Sequence, residues 1–226
     1  RGDGLVEFGW ARQPLFDVNM TAAGSVRRHV FHAWRLKRWE YFYVVTPEVF
    51  FSAQIAHLGY LADVGAYLYD VERHVLMEHT ANIPFGIGII LADHPRRGTT
   101  SARTRSSTRI WSEMTPDGKH VTVDWSRFDG QRDLHADLLL GWPEDLESLS
   151  VVDPLKSGRF AYTTKVTGMQ ATGTIRVGQE TWECSPSEAL GELDWSRGFL
   201  ESVTPWQWAT ASGRTSQGQT IGFNLC

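Results

Sequence analysis

The stretch WEYFYVVTPEVFFSAQIAHL at residues 39–58 decides the fold of this chain. Both of its halves are rich in β-branched and aromatic residues, which favour pleated strands, and a proline-containing turn at 46–48 separates them. Residues 64–71 (VGAYLYDV) continue with period two, so that Tyr67 and Tyr69 share one face. The pattern predicts three consecutive strands joined by short turns.

Working outward, the same alternation recurs between turn signals along the rest of the chain. Further strands are predicted at residues 110–114, 121–125, 134–140, 160–166, 173–177, 181–184, 206–212 and 220–225. The segment Pro116-Asp117-Gly118-Lys119 lies between two alternating runs, which is a strong hairpin signal. Roughly ten to twelve short strands at this spacing are typical of a barrel or sandwich.

We therefore predict an all-β fold, either an antiparallel lipocalin-like (calycin-like) barrel or strongly bent sheets. Residues 1–35 are expected to be an irregular N-terminal segment, and residues 36–226 the β-barrel domain or domains. The last residues, 221–225, have the pattern of a strand. Because a strand needs a partner, we expect a further chain segment or another copy of the chain, and this could be the first part of a two-barrel protein.

Composition narrows the class of protein. The 226 residues carry a net charge of −4, so no global attraction to nucleic acid is expected. No run reaches the roughly 18–20 apolar residues that span a bilayer. The two cysteines, Cys184 and Cys226, form no disulfide framework, which favours reduced thiols and a cytoplasmic location. Ten Trp, eleven Phe and six Tyr suit the wall of a ligand pocket.

The best-motivated candidate site combines two carboxylates, one guanidinium and three indoles, namely Glu192, Asp194, Trp195, Arg197, Trp206 and Trp208. A carboxyl group packed against indole rings can have a raised pKa and act as a general acid. We predict Asp194 or Glu192 as the catalytic group and the others as ligand-binding residues, because indoles stack on flat apolar ligands. The alternative is a structural corner in which Arg197 pairs with Asp194.

A second candidate is the arginine-rich segment SARTRSSTR at residues 101–109. On a single strand Arg103, Arg105 and Arg109 share one face, and guanidinium groups bind anions or carboxylates. We predict Arg103 and Arg105 as ligand-binding residues. The alternative is an outward-facing ion-pair network that contributes little to stability.

A third candidate is the segment DLHAD, in which Asp133, His135 and Asp137 share a face if the segment is a strand. These residue types can ligate a divalent metal. The alternative is a solvated outer face, which we favour because no second His or Cys stands at ligand spacing. We expect no metal and no cofactor, since no nucleotide-binding or zinc-binding motif is present.

Four further segments stand out, at residues 9–15 (GWARQPL), 36–41 (LKRWEY), 191–198 (GELDWSRG), and 206–209 (WQWA) followed by Gly218 and 222–225 (GFNL). Together they resemble a bacterial family known as domain of unknown function 2804. The resemblance implies a protein that extends beyond the last residue of this chain. The W-x-W pattern, its hairpin and the following G-x-x-L are also similar to carotenoid 1,2-hydratase and AttH-like proteins. That second resemblance implies two lipocalin-like barrels that bind apolar ligands, and it implies no catalytic residue here.

Together these features predict a protein that binds an apolar or amphipathic small molecule in an aromatic-lined β-barrel cavity. Acid–base chemistry of the hydratase, isomerase or cyclase type is compatible with the carboxylates. One alternative is a glycan-active hydrolase with paired carboxylates and Trp platforms. Another is a binding module without catalysis, so whether the protein is an enzyme stays open.

Overall fold

A computed structural model of the protein describes residues 8–15, 18, 34–104, 107–155, 159–200, 204–205 and 207–225. Every regular element in these ranges is a β-strand. The strands are β1 (Gly9–Ala11), β2 (Leu36–Val45), β3 (Val49–His57), β4 (Leu61–Asp70), β5 (Val75–Pro84), β6 (Ile89–Ile90), β7 (Thr99–Arg103), β8 (Thr108–Thr115), β9 (Gly118–Trp125), β10 (Leu134–Gly141), β11 (Leu149–Pro154), β12 (Phe160–Val177), β13 (Glu180–Cys184), β14 (Leu190–Phe199), β15 (Ala209–Arg214) and β16 (Thr220–Leu225). The same ranges hold no helix that is long and apolar enough to cross a lipid bilayer.

Fourteen of the strands form one antiparallel sheet, whose main path runs β5-β4-β3-β2-β14-β12-β10-β9-β8-β7-β6. Most neighbours in this path are consecutive hairpins, but β2 pairs with β14 from far along the chain. β11 and β13 pair with β12, and β1 pairs with β11. β15 and β16 form a separate two-stranded hairpin, so the terminal strand that was expected to need a partner has one in β15.

The predicted hairpin between β8 and β9 is confirmed. Thr115 pairs with Gly118 across the two-residue connection Pro116-Asp117. Gly118 has φ +146°, and a Cβ atom there would lie 2.2 Å from the carbonyl oxygen of Leu140. Only glycine fits this position, because any side chain would collide with the neighbouring strand.

The longest strand, β12, replaces two predicted strands at 160–166 and 173–177. It continues through both, and its pairing register with β14 shifts between Val166 and Met169. A β-bulge bends a strand, which lets β12 serve both halves of the sheet. Its first part pairs with β11 and β14, and its second part with β10 and β13.

The sheet curls around one hydrophobic core to which both halves contribute, for example Phe42 and Phe51 from the first and Ile110 and Val123 from the second. Edge strand β5 closes the curl, because His79 Nδ1 lies 3.1 Å from the carbonyl oxygen of Phe128 beyond β9. Arg73, in the turn between β4 and β5, forms an ion pair with Glu180 on β13 and so links the same two parts of the sheet. The structure thus confirms an all-β, strongly bent antiparallel sheet, with one face inside and the other outside.

Candidate functional site

The candidate site lies on the outer face of β14, the central strand of the sheet. Successive side chains of a strand point to opposite faces, so Glu192, Asp194 and Ser196 lie on this face and their odd-numbered neighbours point to the interior. The three side chains are nevertheless buried, because the hairpin β15–β16 lies over them and contacts β12 and β14. Two carboxylates are therefore held away from water on the outer side of a sheet.

The Glu192 carboxyl group is fastened to the covering hairpin. Thr210 Oγ1 donates a hydrogen bond to one of its oxygens, and Asn224 Nδ2 donates to the other at 2.9 Å. Burial raises the pKa of Glu192 to about 7, the charge of Asp194 adds to this, and the hydroxyl groups of Thr210 and Tyr43 oppose it. At neutral pH this carboxyl group can therefore either give or take a proton.

The Asp194 carboxylate has a different environment, since it is neutralised by an ion pair. Lys165 stands directly opposite on β12, and its Nζ lies 2.5 Å from Asp194 Oδ2. Ser196 Oγ donates a hydrogen bond of 2.6 Å to Oδ1. The Lys165 ammonium also lies 4.7 Å from the centre of the Trp208 ring. Asp194 and Lys165 thus form a fixed charge pair beneath an indole, beside the Glu192 carboxyl group.

Aromatic side chains of β2 enclose the carboxylates. Tyr41 and Trp208 pack edge to face with their ring centres 5.5 Å apart, and Trp208 Nε1 donates to Asn224 Oδ1 at 2.8 Å. Tyr43 donates its hydroxyl hydrogen to Ser212 Oγ at 3.0 Å. Burial raises the pKa of Tyr41, and it raises the pKa of Tyr43 to about 12. Both phenols therefore stay protonated, and the Tyr43 hydroxyl serves as a hydrogen-bond donor.

The aromatic lining continues from the carboxylates out to solvent. Phe50 lies 5.1 Å from Tyr43 and 5.4 Å from Tyr67, ring centre to ring centre, and the second pair is nearly parallel. We call Tyr41, Tyr43, Phe50 and Tyr67 the outer aromatic face. Tyr43 is buried, whereas the other three are half-buried. The face thus offers apolar surface with hydroxyl groups at its edges, and it leads to Glu192.

Two predicted site residues, Trp195 and Arg197, lie on the interior face instead. Arg197 donates hydrogen bonds to the carbonyl oxygens of Trp39, Ser196 and Ala92, at 3.0, 2.8 and 2.5 Å. Its guanidinium lies 4.1 Å from the Trp195 ring centre, and Trp195 Nε1 donates to the Ala92 carbonyl at 3.1 Å. Burial lowers the pKa of Arg197 to about 9. These two residues anchor the segment at Ala92 and do not contact Glu192. Arg197 does not pair with Asp194.

The arginine segment is divided between two strands rather than lying on one. Arg103 ends β7 and faces Arg109 directly across the pair with β8, and both are exposed. Neither arginine contacts Glu192, Asp194 or Lys165. Arg105 and Trp206, the remaining predicted ligand-binding residues, lie outside the described residues.

The DLHAD segment forms hydrogen-bonded His–Asp pairs at the surface. His135 Nδ1 lies 2.6 Å from Asp124 Oδ1, and His120 Nε2 lies 2.7 Å from Asp137 Oδ1. Asp133 accepts a hydrogen bond of 2.7 Å from a backbone amide. Among the described residues no three His, Cys, Asp or Glu side chains converge as metal ligands would.

A buried ion pair inside the barrel is absent from the sequence-based candidates. Glu40 Oε1 lies 2.8 Å from Lys119 Nζ, and Thr100 and Ser112 donate to the same carboxylate at 2.6 Å each. The sequence does indicate a buried Glu40, because it lies two residues before the interior Phe42 and so on the same face of β2, whereas Tyr41 and Tyr43 lie on the outer face.

Comparisons with known proteins give one family match. The family model described as Domain of unknown function (DUF2804) matches residues 2–226. No curated protein matches the chain significantly. An AttH candidate from Nitrosomonas europaea, known from a crystal structure, is similar at 14% sequence identity and a TM-score of 0.40. The match covers 84% of this chain and 64% of that protein, so this chain spans less than two thirds of its length.

Proposed function

This chain belongs to the family described as Domain of unknown function (DUF2804), and from that premise we propose that it binds an amphipathic small molecule on its outer aromatic face. In the bound complex Glu192 exchanges a proton with the ligand. The observation that carries the proposal is a buried carboxyl group whose pKa is about 7, at the inner end of an aromatic surface.

The chemistry of the surface defines the class of ligand. Tyr41, Phe50 and Tyr67 give rings that pack against an apolar skeleton, and the two tyrosines add hydroxyl groups. Further in, Asp194 and Lys165 form a fixed charge pair. A ligand with an apolar body and one polar, protonatable end matches this change from aromatic to charged surroundings better than a wholly apolar ligand does.

Access to Glu192 involves the hairpin β15–β16. This hairpin pairs with no other described strand and is held by packing and side-chain hydrogen bonds. Thr210 and Asn224 supply the two donors that satisfy the Glu192 carboxyl group. If the hairpin moves, the Glu192 carboxyl group loses these two donors. The polar end of a ligand that donates in their place restores the hydrogen bonds, which keeps the free-energy cost of moving the hairpin small.

Proton exchange at Glu192 is the step that this geometry supports best. A carboxyl group with a pKa near the working pH serves equally as acid and as base, which suits hydration, isomerisation or cyclisation of a bound ligand. Glycoside hydrolysis is supported less, because it uses two carboxyl groups with separate roles and Asp194 is already paired with Lys165.

A binding assay tests the proposal. The neutral amphipathic probe N-phenyl-1-naphthylamine is titrated into the protein, and its fluorescence gives the Kd. We expect Trp208→Ala and Tyr41→Ala to weaken binding at least tenfold, because each removes a ring that encloses the site. Native mass spectrometry of the purified protein then identifies any ligand that it retains.

Trp111→Ala is the matched control. Trp111 is a half-buried indole on the outer face of β8, packed against His120 and remote from Glu192. Its removal should leave the Kd unchanged. Equal affinity of wild type, Trp208→Ala and Tyr41→Ala for the probe, with both variants folded by circular dichroism, would rule out this surface as the binding site.

A further inference from the structure

A cluster of exposed apolar side chains lies at the turns of one end of the barrel, apart from the outer aromatic face. Its members are Trp34 before β2, Tyr60 between β3 and β4, and Phe85 and Ile87 after β5, with side chains 52%, 57%, 62% and 74% exposed. We call these four residues the apolar rim. Large apolar side chains that protrude together from turns mark an interaction surface.

The turns that carry the rim are rigidly built. The Phe85 amide donates to the Tyr60 carbonyl at 2.9 Å, and the Trp34 and Phe85 rings pack edge to face at 6.4 Å. Phe85 has φ +58°, a left-handed conformation that a bulky aromatic residue rarely adopts. The fold therefore holds this ring outward at some cost in backbone strain, which is characteristic of functional sites.

Basic residues border the rim, although the chain as a whole is acidic. Arg35 follows Trp34, Lys37 lies with its Nζ 5.0 Å from the Tyr60 ring centre, and Arg103 ends β7 beside the Phe85 turn, where its carbonyl oxygen is 3.5 Å from a Cβ placed on Gly88. In the part of the chain that the structure describes, no carboxylate forms an ion pair with any of these three cations. The guanidinium groups of Arg35 and Arg103 are therefore available to an anionic partner, whereas Lys37 Nζ donates to the carbonyl oxygen of Leu58.

We propose that the apolar rim docks on an anionic lipid surface. Aromatic and aliphatic side chains at protruding tips insert into the boundary between headgroups and acyl chains, and flanking cations contact anionic headgroups. A protein partner of matching charge would present a complementary surface, but separate tips with a basic border fit a deformable bilayer better. The inference stands apart from the proposed function, since the two surfaces share no residue and each can fail alone.

Vesicle co-sedimentation tests the inference. The protein is mixed with vesicles of phosphatidylcholine alone, or with about one third phosphatidylglycerol, at low and at physiological salt. We expect binding to the anionic vesicles only, weakened by salt. Ile87→Asp should reduce partitioning at least tenfold, and Arg103→Gln by about fivefold, the effect of one basic residue near such a surface. Ile87 is the most exposed member of the rim and Arg103 is also exposed, so the fold should tolerate both substitutions.

The hairpin β15–β16 provides the control. Ile221 and Phe223 are exposed to a similar degree, 56% and 51%, and the guanidinium of the neighbouring Arg214 is engaged by Thr220 and by the Pro186 carbonyl oxygen. Ile221→Asp should leave vesicle binding unchanged. Absence of wild-type binding to anionic vesicles overturns the proposal, as does an equal loss in Ile221→Asp and Ile87→Asp. A concentration-dependent dimer that Ile87→Asp abolishes, without vesicle binding, also overturns it and assigns the rim to self-association.

Discussion

Lys119 and Glu40 face each other inside the barrel, 2.8 Å apart between Nζ and Oε1, and neither side chain is exposed to solvent. They stand on β9 and β2, on opposite walls of the curled sheet. Because Thr100 and Ser112 donate to the same carboxylate, its hydrogen-bonding capacity is well used. The pair therefore ties the two halves of the sheet together through a polar contact in an apolar core.

Breaking this pair should strongly destabilise the protein. We expect Lys119→Met to lower the free energy of unfolding in urea by about 3–5 kcal/mol, because Glu40 is left as an uncompensated buried charge. The double variant Glu40→Leu with Lys119→Met should recover much of the loss. Arg12→Ala, which breaks the exposed pair with Glu147, is the control and should change stability by less than about 0.5 kcal/mol. Equal effects in the two single variants would contradict the assigned burial.

The pKa of Glu192 predicts a pH dependence of stability. It rises from 4.5 in the unfolded chain to about 7 in the folded protein, so the folded state binds the proton more tightly. The stability that this proton contributes is complete below about pH 4.5 and is lost as the pH rises through about 7, a change of about 3 kcal/mol. Glu192→Gln should therefore gain on wild type between pH 5 and pH 8, as measured by urea unfolding at each pH. A constant difference between the two proteins would exclude the raised pKa.

Arg197 should act as an anchor rather than as a ligand-binding residue. Arg197→Met removes three hydrogen bonds, and the Ala92 carbonyl then keeps the Trp195 indole but loses the guanidinium as a donor. We expect faster amide hydrogen exchange in residues 91–98 and unchanged affinity for the naphthylamine probe. Arg103→Met, at an exposed guanidinium, should leave exchange in that segment as it is. A loss of probe binding in Arg197→Met without faster exchange would return Arg197 to the ligand site.

Two glycines should differ sharply in their tolerance of alanine. Gly173 in β12 has φ +127°, and a Cβ atom there would lie 2.0 Å from the carbonyl oxygen of Asp137 on β10. Gly213 in β15 has no heavy atom within 4 Å of the same position. Thermal unfolding should show Gly173→Ala with a Tm lower by at least about 10 °C and Gly213→Ala within about 3 °C of wild type. Similar midpoints would argue against the pairing of β10 with β12.

Period-two alternation carried most of the fold prediction, because it decides both that a segment is a strand and which side chains are buried. It put Tyr67 and Tyr69 of VGAYLYDV on one face, and in β4 both are half-buried, whereas Leu68 between them is buried. It did not identify β5, in which Met77, Ala81 and Ile83 point towards the core but most residues of Val75–Pro84 are exposed. The family resemblance, read from motifs such as GELDWSRG at 191–198, is confirmed by the family match over residues 2–226.

The candidate site was predictable in part. Glu192, Asp194 and Trp208 do meet, but proximity in sequence wrongly suggested that Trp195 and Arg197 share their surroundings, although alternation sends those two to the interior. Lys165, Thr210 and Asn224 were missed. Strand pairing and the covering hairpin bring them to the site, and neither can be read from local spacing.

The pairing of β2 with β14 has a consequence for the order in which the protein is made. The ribosome must add about 145 residues after Val45 before Leu190 emerges, which at 5–20 residues per second takes roughly 7–30 s. Throughout that interval β2 presents an unpaired aromatic edge, the kind of surface that chaperones bind and that aggregates. Added trigger-type chaperones, which cover such an edge until β14 has been made, should therefore raise the soluble yield.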